Sequence, residues 1–148
     1  MRTIHVILDS LNRHYLSIYN SEAWVKTPNI ERLAARGISF DNHWVGSLPC
    51  MPARREMMTG RLNFLETNWG PIQPWDKCLP EILRQENGTY SHLITDHYHY
   101  FHAGGDGYHD LFTSWEFQRG QEGDAWRPIV EGQAAPEGTR GKCLDRGA

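Results

Sequence analysis

Long apolar runs are missing from this chain of 148 residues: no stretch approaches the length of a bilayer span, and its start shows no basic segment leading into an apolar one. A cytoplasmic protein is therefore the simplest expectation. Excess charge of one sign is missing too. Fifteen Lys and Arg against eighteen Asp and Glu leave a net charge of −3, with no basic stripe to hold nucleic acid. Cysteines are few; the three cannot all pair, which suits a reducing compartment, and none sits in a close pair at zinc-finger spacing. Cys78 and Cys143 read as a buried thiol and a tail thiol. There are no internal repeats, and the length suits one domain with a single core.

The informative stretch is Leu48-Pro49-Cys50-Met51-Pro52-Ala53-Arg54-Arg55-Glu56-Met57-Met58-Thr59-Gly60. Pro52 suits the first position of a helix, where a missing N–H costs nothing, and residue 50 would then sit near the positive end of the helix dipole, a place that favours an anion. Arg54 adds a permanent charge. Taken singly, a cysteine here would be a free thiol in an apolar turn beside a solvated arginine pair.

Together these residues resemble the C-x-P-x-R signature of the sulfatase family, and Thr59-Gly60 fits its C-terminal end. The resemblance implies that Cys50 is oxidised by a formylglycine-generating enzyme to formylglycine, the nucleophile, with Arg54 stabilising its anionic form. The two hydroxyls of a hydrated aldehyde explain the need: one attacks sulfur, and the other loses a proton to expel sulfate. No basic partner surface is implied, only a small-molecule or saccharide sulfate ester.

Two further blocks fit the same family. Thr3-Ile4-His5-Val6-Ile7-Leu8 reads as a buried parallel strand ending in Asp9, at the tip where open α/β sheets bind ligands. Sulfatases carry two adjacent metal-binding aspartates here; Asp9 matches the first and Ser10 replaces the second, so the resemblance places a divalent metal on Asp9 and residue 50. Hard oxygen ligands favour Ca²⁺, with Mg²⁺ or Mn²⁺ as alternatives. Asn12 would add an oxygen or merely cap a turn. After a strand-like run at Tyr90-Ser91-His92-Leu93-Ile94 come His97 and His99, which match the spacing of the lysine and histidine that contact sulfate and the leaving oxygen in sulfatases. Histidine at the lysine position is charged only when protonated. A zinc or copper site of His97, His99, His102 and His109 is the competing reading. Asn68, in an aromatic and turn-rich loop from Asn63 to Trp75, is a further candidate to touch the anion; Trp115 to Gly120 has a similar aromatic character.

The remaining signals order the fold. A helix is expected from Pro28, after cap-type Thr27, to a stop at Gly37; a strand over Ile38–Val45; a helix from Pro52 to Gly60; and another over Leu79–Glu86 with Gly88 beyond it. This βαβα order implies an α/β fold with a mainly parallel sheet and helices on both faces, alkaline-phosphatase-like by the resemblance. Asn87-Gly88-Thr89 reads as a turn. Residues 1–127 are expected to form the N-terminal part of a sulfatase catalytic domain, and 128–148, polar and rich in Gly and Pro, a disordered tail. Complete sulfatases are longer and draw further ligands from a later strand, so the chain is expected to be an incomplete fragment with little activity alone. A phosphonate or phosphate ester hydrolase of the same superfamily, or a non-catalytic degenerate fragment, are the alternatives.

Overall fold

The computed structural model describes residues 2–101 and 107–119. The expected tail over 128–148, with Cys143, lies outside the described residues, as does His102. The chain divides into two units, Met1–Val45 and Gly46–Ala148.

In the first unit, α1 spans Pro28–Ala34. Pro28 sits in its first turn, as expected from its fixed φ and missing N–H. Thr27 makes no side-chain cap; its hydroxyl pairs with Ser17 Oγ at 2.9 Å instead. Asn12 caps a 3-10 turn at Arg13–Tyr15, its Oδ1 accepting from the His14 N–H at 2.9 Å. Neither expected strand of this unit forms. Residues 3–8 and 38–45 carry strand-like patterns yet form no strand pairing among the described residues. Ile4, Val6, Ile38 and Trp44 lie open to solvent. A strand is held by hydrogen bonds to a neighbour, so a fitting side-chain pattern without that neighbour leaves irregular backbone.

The second unit holds α2 (Cys50–Thr59), α3 (Leu79–Asn87), β1 (His92–Thr95) and β2 (Ser114–Phe117). β1 and β2 run parallel, with His92 opposite Ser114 and Thr95 opposite Phe117. The connection between them carries short 3-10 turns at Tyr98–Phe101 and His109–Leu111. Helices with a parallel sheet give the α/β class expected, although among the described residues the sheet has two strands and the strands do not alternate with the helices. Gly60 and Gly88 end α2 and α3 in the left-handed region, at φ 69° and 60°, where glycine carries no Cβ penalty. The Asn87-Gly88-Thr89 turn is therefore a helix cap. Met51, Met58, Cys78, Tyr100, Tyr108 and Leu111 form the core under α2, with the Tyr100 and Tyr108 rings stacked at 4.9 Å.

One buried ion cluster fastens α2 to the loops that follow. Arg55, 1% exposed, donates to Asp76 at 2.5 and 2.7 Å, to Glu66 at 3.0 Å and to Asn63 at 3.1 Å. The Asp76 hydrogen bonds raise the Arg55 pKa against the opposing effect of burial. Burial would push the Asp76 carboxyl up, but hydrogen bonds from Arg55 and the Gln73 N–H outweigh it and hold the group below its ordinary value.

Candidate active site

Cys50 occupies the first turn of α2, which begins at Cys50 rather than at Pro52 as the sequence suggests. The Ala53 N–H donates to Pro49 O at 3.2 Å, so the helical ladder already starts there. Pro52 remains inside the first turn, where backbone N–H groups lack helical acceptors in any case. Residue 50 is half-buried at the positive end of the helix.

The loop into Cys50 is held by a group that the sequence did not single out. Glu56 accepts from the Ser47 N–H at 3.1 Å, from the Ser47 hydroxyl and from the Asn63 N–H at 2.8 Å. Burial opposes its ionised form, but these donors prevail and lower its pKa. Gly46 lets the loop pass so closely: a Cβ there would collide with Glu56 Oε2 and come within 2.8 Å of Leu62 Cδ2. In sequence, Glu56 is one acidic residue in a polar helix, and no spacing rule marks its acceptor role.

His97 and His99 arrive from the tip of β1. Thr95, buried at the end of the strand, accepts the His97 backbone N–H on its hydroxyl at 3.0 Å, and the Tyr100 N–H returns to His97 O at 3.2 Å. This turn places His97 in the interior, 2% exposed, and His99 over Cys50, with Nδ1 3.9 Å from Sγ. One ligand atom from each of Cys50, His97 and His99 falls within 4.8 Å of the others. The two imidazoles meet edge to face at 5.1 Å, and Trp69 packs edge-on against His99 at 5.3 Å. The aromatic loop therefore does reach the site, through Trp69.

The other candidates are placed as follows. Arg54, 7% exposed and one turn along α2 from Cys50, donates from Nη1 to the Tyr100 hydroxyl at 2.9 Å and lies over that ring at 5.1 Å. Asn68 is exposed, and no described contact ties its side chain to Cys50, His97 or His99. Asp9 belongs to the first unit, exposed and accepting from Ser10 Oγ at 2.9 Å; it ends no strand, contrary to expectation. His109 does not join the cluster around Cys50: its ring packs against Phe101 at 4.6 Å and Trp115 at 5.0 Å. A four-histidine site is thus not assembled among the described residues. Cys78 is fully buried, as expected, and burial with the nearby Asp76 and Glu81 charges pushes its thiol up to about 11.

Comparison with known proteins bears on the family alone. The family described as Sulfatase matches residues 2–145, which includes most of the polar segment 128–148. N-acetylgalactosamine-6-sulfatase of Homo sapiens is 28% identical over 84% of this chain and 27% of its own length. Arylsulfatase G of Mus musculus is 29% identical over 64% of the chain and 19% of its own length. The multifunctional alkaline phosphatase superfamily protein PehA of Trinickia caryophylli is 40% identical over 32% of the chain and 9% of its own length. The chain thus spans about a quarter or less of the length of these curated relatives. No solved structure matches it significantly. The chain belongs to the sulfatase family, whose domain has an alkaline-phosphatase-like α/β fold.

Proposed function

We infer that the chain is the N-terminal part of a sulfuric ester hydrolase whose nucleophile is formylglycine derived from Cys50. The observation that carries this reading is the meeting of the motif cysteine, at the head of α2, with two histidines delivered by the tip of β1. The substrate class is a small-molecule or saccharide sulfate ester, and a formylglycine-generating enzyme is the maturation partner. Formylglycine supplies a hydrated aldehyde, whose two hydroxyls on one carbon allow bound sulfate to leave by C–O cleavage.

This chain's own residues supply the surroundings. The N-terminus of α2 favours negative charge at residue 50. His97 and His99 donate to the sulfate oxygens, and a proton from one of them reaches the leaving oxygen, work suited to imidazole. Arg54 keeps a permanent cation one turn inside α2, oriented by Tyr100. Trp69 closes the side of the site at His99. The family's divalent cation, Ca²⁺ by our reading, would take the Asp9 carboxylate. Around Cys50, however, the gathered donors are one sulfur and two nitrogens, a set that does not fit a hard cation requiring oxygens, and no step is drawn through it. Cysteines that cannot all pair favour a cytoplasmic location.

The test uses a chain extended to the length of the relatives, matured and supplied with an aryl sulfate. Cys50→Ala is expected to abolish turnover, and His99→Ala to lower kcat by about 10²–10⁴-fold, the usual worth of a general acid. Unchanged turnover in Cys50→Ala contradicts the reading.

A further inference from the structure

The cluster at the head of α2 is a donor set in its own right while residue 50 is still a thiol. Sγ of Cys50 lies 3.9 Å from Nδ1 of His99, and all three ligand atoms of Cys50, His97 and His99 lie within 4.8 Å of one another. In a tetrahedral zinc site with Zn–S of about 2.3 Å and Zn–N of about 2.0–2.1 Å, neighbouring ligand atoms stand roughly 3.4–3.6 Å apart. The cluster is therefore a small side-chain rotation from coordination. Cys50 and His99 are both half-buried, while His97 is held inside by its backbone bond to Thr95. Thiolate with two imidazoles suits zinc and not the oxygen-seeking cations.

We propose that the unmatured chain binds one Zn²⁺ through Cys50 Sγ, His97 and His99, with a fourth position open to water. The site does not depend on whether residue 50 is ever converted to formylglycine, and conversion would remove its sulfur. It differs from a four-histidine site, since His109 is packed between Phe101 and Trp115. Cys78 is a poor competitor, buried and with its thiol raised to about 11 by burial and by Asp76 and Glu81. Zinc on Sγ would also shield Cys50 from reagents that attack the free thiol.

The experiment is a Co²⁺ titration of the reduced, metal-free chain, followed by the thiolate-to-cobalt charge-transfer band and displaced by Zn²⁺. One equivalent is expected to saturate the band. Cys50→Ser should remove it, Cys78→Ser should keep it, and His99→Ala should weaken binding at least tenfold. With no variant needed, Zn²⁺ should slow alkylation of Cys50 by iodoacetamide, read by peptide mapping. Absence of the band in the unmodified sequence overturns the proposal, as does a band that survives in Cys50→Ser, which would place the metal on Cys78 or Cys143. Because this readout uses the thiol form alone, its failure leaves aldehyde formation at residue 50 to be judged by its own assay.

Discussion

Arg54 and Arg55 are neighbours in sequence with separate tasks. The motif marks Arg54, and nothing in the pattern distinguishes Arg55, yet Arg55 carries the buried ion cluster with Asp76 and Glu66. Its partners lie eleven and twenty-one residues away, beyond any local spacing rule. Removing Asp76 takes the fully buried partner from Arg55 and leaves it Glu66 and Asn63, so Asp76→Ala is expected to cost about 3 kcal/mol in urea unfolding, the low end for breaking a buried pair. A midpoint unchanged from the parent would show the cluster to be idle. The pH dependence follows from the same groups. Asp76 and Glu56 are lowered in the folded chain from their ordinary 3.8 and 4.5, so the stability they contribute is present above those values. It is lost as pH falls through the lower folded values. Thermal melts should therefore decline below about pH 4.5, and the decline should be shallower in Asp76→Ala.

Among the elements, helices were the legible part. Pro28, Gly60, Pro80 and Gly88 punctuate α1, α2 and α3 close to their observed limits, because proline and glycine act on the backbone locally. Strands depend on partners, and residues 3–8 and 38–45 show an apolar pattern without one among the described residues. β2 was missed for the converse reason: Ser114-Trp115-Glu116-Phe117 is short and aromatic, and only its pairing with His92–Thr95 makes it a strand. The turn into α2 was legible in its motif but not in its support. Glu56→Ala would leave the Ser47 and Asn63 N–H groups without their acceptor, at a cost of about 1–3 kcal/mol and with faster hydrogen exchange at both amides. Exchange at parental rates would separate Glu56 from the position of Cys50. Gly46→Ala should disturb the same loop through its collision with the Glu56 carboxylate.

At the scale of the whole molecule, the family was readable from one motif and two strand-end blocks, and the match over residues 2–145 bears it out. The site itself was readable only in part. Cys50, His97 and His99 meet in the second unit, and Asp9 belongs to the first, where it ends no strand. A sequence pattern lists the groups a reaction needs but not which of them the backbone gathers. Residue 50 is the centre on which the functional reading rests, and its chemical state can be seen directly. The decisive measurement is mass spectrometry of the peptide spanning Gly37 to Arg54, after co-expression with a formylglycine-generating enzyme and treatment with an aldehyde-trapping reagent. A trapped aldehyde at residue 50, absent in Cys50→Ala, is the expected result. An unmodified thiol despite an active maturing enzyme would contradict the sulfatase nucleophile assigned to this chain.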